Sequence, residues 1–192
     1  MKINRSFIIS LCLMVLISAL YRVMPNRPWG FAPQIAMGLF SGALFVKDKK
    51  WAFALPLLSL FLSDLLYQLL FSYGLTPIQG FYGGFQVLNY VLFTGITCFG
   101  FLINKNKVSN VIVASLTAPT TYFLVSNFLV WASDPALGFG LGRPRNFYGL
   151  MQTYGDALPF FKYSVMATFV FSALLFGTFY FAKDWFAKKE LA

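Results

Sequence analysis

The chain has 192 residues, of which 58% are hydrophobic and only 11% charged, where a soluble domain carries about a quarter charged residues. That deficit excludes an ordinary water-facing surface, and 24 Phe within a 20% aromatic content suit rings that face hydrocarbon or sit at its interface. A formal charge of +9 does not point to nucleic acid, because the basic residues lie in short clusters between apolar runs, where membrane topology accounts for them.

The runs predict an all-α integral membrane bundle of six transmembrane helices in a single domain, with helices at about 7–23, 31–46, 51–71, 83–102, 108–131 and 158–182. Most approach the ~20 residues needed to cross a ~30 Å hydrocarbon core. The first follows Lys2 and Arg5, as a signal peptide would, but SALYRVMPN offers no A-x-A cleavage site and a retained helix is expected. Near its end stands Arg22. The second carries Gly38-x-x-x-Gly42 with Ala36, Ser41 and Ala43, a small-residue face that lets helices approach closely, inside the bundle or against a partner.

In the third run, LPLLSLFLSDLLYQLLF, Asp64 lies among apolar residues, where a carboxylate costs roughly 2.5–3.5 kcal/mol. It sits about 13 residues, or about 20 Å, along its helix, and Arg22 about 22 Å along a helix running the same way. Equal depth makes Arg22 the expected partner. Asp64, Tyr67 and Gln68 share a face at i, i+3 and i+4, as do Gln86, Asn89 and Tyr90 on the fourth helix. The fifth ends in SNFLVW, bringing Ser126, Asn127 and Trp131 to the same end. A long outer loop over 132–157, with Tyr154, then leads to Pro159 and Lys162; loops of that length are usually functional or act as lids.

Placing the N-terminus inside puts ten Lys and Arg on that face and five on the other, so both termini are expected in the cytoplasm. Cys12 and Cys98 lie inside apolar runs without metal-ligand spacing. With no His, a His-based catalytic or metal site is excluded. Neither Ser nor Cys has an evident base, and an Asp64/Asp156 pair would require the loop to fold inward; an enzyme is not expected.

The segments RVMP, FAPQIAMGLFSGALF, PLLSLFLSDLL, SNFLVW and YGDALPFFKYSVMATFVFSALLFG resemble a family of small bacterial six-helix membrane proteins. That family is similar to the substrate-capture subunits of energy-coupling-factor vitamin transporters. The resemblance implies six helices, cytoplasmic termini and a ligand pocket under loops at the outer face of the bacterial cytoplasmic membrane. Such subunits dock an energising module through Ala-x-x-x-Ala on the first helix. SFIISLCLMVLISALYRV lacks it, leaving the Gly38/Gly42 face as the alternative.

The expected function is therefore that of a membrane-embedded, substrate-binding subunit for a small vitamin-like molecule. Arg22 and Asp64 would anchor a polar group, Gln86, Asn89 and Asn127 orient it, and Trp131 and Tyr154 cover its apolar part. Lipid, the ligand and a separate energising module are the expected partners, with no nucleic acid, cofactor or metal. The alternative is a structural membrane protein whose polar residues only tie helices together, plugging one another and leaving no cavity.

Overall fold

In hydrocarbon every backbone N–H and C=O must be satisfied within the chain, and a helix does so inside a single segment. The computed structural model describes the backbone of residues 5–133 and 142–190 and the side chains of residues 8–133 and 142–181. Among the described residues there are six helices: α1 Arg5–Val23, α2 Gln34–Leu44, α3 Lys49–Ser72, α4 Gly84–Phe101, α5 Val108–Ser133 and α6 Phe147–Glu190. No strand occurs among the described residues.

Four stretches are long and apolar enough to cross a membrane: Lys49–Ser72, Gly84–Phe101, Val108–Ser133 and Phe147–Phe181. They point to a multi-pass membrane protein. Exposed Leu13, Ile17, Phe61, Val91, Val113 and Leu174 give it the apolar outer surface that lipid requires. The part of α1 whose side chains are described, Ile8–Val23, is shorter, as is α2.

α2 has 11 residues, about 16 Å of helix, and is the centre of the bundle. Every residue from Gln34 to Ala43 is buried, walled by α3, α4, α5 and α6. Its small residues make this possible. Gly38 packs on Ile96 and Thr97 of α4, and Gly42 meets Thr97 and Gly100. A Cβ on Gly100 would stand 2.6 Å from the Leu39 carbonyl oxygen and 2.8 Å from Gly42 Cα, so the two backbones touch. The Gly38/Gly42 face is thus enclosed by α4: of the two roles expected for it, it takes packing inside the bundle and not docking to an outer partner.

A second device joins α2 to α3. Pro56, inside α3, has no N–H and frees the carbonyl four residues back, that of Ala52. The buried Ser41 hydroxyl of α2 donates to that oxygen at 2.8 Å, the kind of repair that lets proline persist within a membrane helix.

α1, α3, α4 and α5 begin and end within two residues of the predicted bounds, but α6 does not. It begins at Phe147, inside the stretch expected to be loop to residue 157. The reason is local: Asn146 caps the helix, its Oδ1 accepting the Gly149 N–H at 2.9 Å. Gly149, Gly155 and Pro159 read as loop signals, yet Pro159 forfeits only one helical bond and α6 continues through it. Residues 134–141, the middle of the expected loop, lie outside the described residues, as do the side chains of Lys2, Arg5, Lys183, Lys188 and Lys189 that weigh in the charge count.

Candidate functional site

α1 packs beside α3, which brings Arg22, in the last turn of α1, level with Asp64. Arg22 Nη1 forms a salt bridge with Asp64 Oδ1 and donates to Ser63 Oγ at 2.6 Å. From α4, Gln86 Nε2 and the Tyr90 hydroxyl donate to the other carboxylate oxygen at 2.8 and 2.9 Å. One turn separates these two residues, so both reach the same oxygen. Asp64 is 1% exposed and the Arg22 side chain 17%. Full burial of a carboxylate is tolerated because a cation and two neutral donors replace the lost water.

The α1 end is clamped in turn. Tyr67 donates to the Arg22 carbonyl oxygen at 2.7 Å, and the Arg22 guanidinium lies 5.5 Å from the Tyr67 ring centroid. Arg27, in the turn after α1, donates from Nε to the same carbonyl at 3.2 Å and from Nη1 to the carbonyls of Pro28 and Phe31 at 3.2 and 2.7 Å.

Beside this network opens a cavity of about 540 Å³, within the ~300–1,000 Å³ range of small-molecule sites. It is lined from the C-terminal ends of α1, α3 and α5, the N-terminal ends of α2 and α4, and α6 around residues 157–164. One end of the bundle therefore supplies it. Trp29, Tyr67, Phe93, Tyr122, Phe123 and Phe161 are among its aromatic walls, with Phe123 stacked on Phe161 at 4.5 Å between centroids. Gln34 also lines it; its Nε2 donates to the Ser18 carbonyl at 3.4 Å, and its Oε1 has no hydrogen-bond partner.

Of the residues singled out in the sequence, Arg22, Asp64, Tyr67, Asn89, Ser126 and Asn127 line this cavity. Gln86 stands behind it and holds Asp64. Asn89 Nδ2 donates to the Tyr82 hydroxyl at 3.2 Å, and Tyr122 donates to Asn89 Oδ1; Asn127 donates to the Phe123 carbonyl at 2.8 Å. Trp131 and Tyr154, expected over the ligand, lie elsewhere. Trp131 donates to the Pro144 carbonyl at 3.1 Å and Tyr154 to the Leu124 carbonyl at 2.9 Å, so both tie α5 to the start of α6. Their aromatic character marked an interface but not which side of it. Asp156 pairs with Arg143 at the surface rather than with Asp64.

Arg27, Gln34, Tyr82 and Tyr122 are lining residues that the sequence reading left out. Tyr122 was open to discovery, since it precedes Ser126 by four residues on one helix face. Arg27 and Tyr82 sit in turns whose course no periodicity reveals. Burial raises the Tyr82 phenol above the ordinary tyrosine range, against a lowering from its Asn89 hydrogen bond. The hydroxyl therefore stays neutral and accepts from Asn89 throughout the physiological range.

Fold and site together define an all-helical, membrane-type bundle with a buried ion pair beside an aromatic cavity at one end. The chain belongs to DUF6580, a family of unknown function whose model matches residues 1–189. No curated protein and no solved structure matches it.

Proposed function

We propose that this protein is a substrate-binding membrane subunit of a small-molecule transporter, similar in plan to the substrate-capture subunits of vitamin transporters. In this reading six helices cross a bacterial cytoplasmic membrane with both termini in the cytoplasm, and the cavity opens at the outer face. The Lys and Arg count between segments supports that orientation. The observation that carries the proposal is the cavity itself: a drug-sized space with aromatic walls that meets a buried Asp64–Arg22 pair.

Arg22, fixed in place by Asp64, faces the polar end of the ligand, Asn89 and Asn127 orient it, and the rings cover the rest. Without a GxxxxGK[ST] phosphate loop the chain has no ATP site of that type, so active transport draws on a separate module or an ion gradient. Because α4 covers the Gly38/Gly42 face, such a module docks elsewhere.

A structural role for the pair is the second reading, favoured by the three donors that already satisfy Asp64 within the protein. A thermal-shift screen of the purified protein against vitamins, their precursors and amino-acid derivatives separates the two. A ligand at 100 times its dissociation constant stabilises the fold by about 2.7 kcal/mol. Binding predicts a hit that weakens in Arg22→Gln and Asp64→Asn; a structural role predicts none from a broad panel.

A further inference from the structure

The chemistry of the cavity narrows what it can hold. Two guanidinium groups, Arg22 and Arg27, line it, against one carboxylate, Asp64. That carboxylate is already engaged by Arg22, Gln86 and Tyr90. Arg27 has no carboxylate partner among the described residues: its Nε and Nη1 donate to backbone carbonyls, and its Nη2 donates to none of them. Those carbonyl bonds fix the guanidinium in place and leave its charge without a carboxylate counter-charge among the described residues. An excess of one positive charge in a half-enclosed, ring-lined space favours an anion far more than the same charge in water would.

We infer that the cavity selects a small aromatic monoanion, a flat ring bearing one carboxylate, with Arg27 as the residue that recognises the acid. This rests on the binding reading above and assigns its substrate class. The carboxylate sits at the Arg27 Nη2 edge, within the field of Arg22. The ring lies between walls that include Tyr67, Phe93, Tyr122 and Phe123, where offset and edge contacts hold aromatic groups. One carboxylate neutralises the cavity; a cationic amine of the same shape adds a second uncompensated charge. Gln34, with its partnerless amide oxygen, supplies an acceptor for an N–H on the ring, so indole acids fit better than phenyl acids.

The test uses matched probes on the full chain in detergent or nanodiscs, with binding read by calorimetry and thermal shift. Indole-3-acetate, indole-3-acetamide and tryptamine share a ring and carry charges of −1, 0 and +1; phenylacetate, phenylacetamide and phenethylamine repeat the series with a smaller ring. A charge-assisted hydrogen bond favours the acid over its amide by about ten- to a hundredfold, and the amine should bind weakest. Arg27→Gln should reduce the preference to under about threefold while the neutral amide binds as before. Arg27→Lys should retain most of the preference, and it serves as the check if Arg27→Gln does not fold. Equal binding of acid and amide, tighter binding of the amine, or an undiminished preference in Arg27→Gln overturns the assignment and leaves the cavity a binding site of another class. No binding by any member of either series overturns the assignment, and silence from the broad panel as well overturns the binding reading itself.

Discussion

Removing both members of the Asp64–Arg22 pair should cost less than removing one, and much less than the sum of the two single losses. In Asp64→Leu the Arg22 guanidinium, 17% exposed, keeps Ser63 as its hydrogen-bond partner and the Tyr67 ring but no counter-charge, and the donors of Gln86 and Tyr90 lose their shared oxygen. Breaking a buried pair from one side costs about 3–5 kcal/mol. Arg22→Met leaves a carboxylate at 1% exposure with two neutral donors and belongs in the same range. Replacing both charges by apolar side chains removes the uncompensated ion, and such replacements are often neutral. What remains is the loss at Gln86 and Tyr90, about 2–3 kcal/mol together. The double variant should therefore be more stable than the sum of the singles by at least about 3 kcal/mol. Reversible unfolding in mixed detergent micelles, followed by tryptophan fluorescence, measures all four proteins. Additivity to within about 0.5 kcal/mol would refute the pairing energetics.

Ser41→Ala should destabilise by about 1–3 kcal/mol in the same assay, because the Ala52 carbonyl freed by Pro56 loses its donor; Ser41→Ala combined with Pro56→Ala should recover much of that loss. Gly100→Leu should separate α2 from α4 and cost at least about 3 kcal/mol or abolish folding, read as loss of a monodisperse peak in size-exclusion chromatography. Trp131→Phe and Tyr154→Phe should leave ligand stabilisation unchanged, since neither residue lines the cavity, whereas Tyr122→Phe should weaken it by releasing Asn89. In a background with Cys12 and Cys98 replaced by Ala, a cysteine at Thr76 should react with an impermeant maleimide on intact cells and one at Asn104 should not; the reverse pattern would invert the topology.

The sequence made the ion pair legible because helix rise converts residue number into depth, and two parallel helices of similar entry point put Arg22 and Asp64 level. Gln86 was legible through the i, i+4 spacing it shares with Tyr90. What periodicity does not encode is the path of a turn. Arg27 and Tyr82 reach the cavity from the connections after α1 and before α4. The start of α6 was hidden for a different reason: glycines and a proline read as breakers, while packing along α5 and the Asn146 cap hold the helix together. That early start sets Tyr154 against the Leu124 carbonyl of α5, outside the cavity lining. The burial of the Gly38/Gly42 face depended on which helix it met, and the motif alone names no partner.

The most direct test of the central claim is to fill the cavity. Ser126 lines it from α5, and Ser126→Trp places an indole there without touching the ion pair. Thermal stabilisation by the best ligand from the screen should reach about 2.7 kcal/mol in the wild type at 100 times its dissociation constant and vanish in Ser126→Trp, with the unliganded melting temperature retained. Equal stabilisation of both proteins would place the ligand outside this cavity and contradict the account.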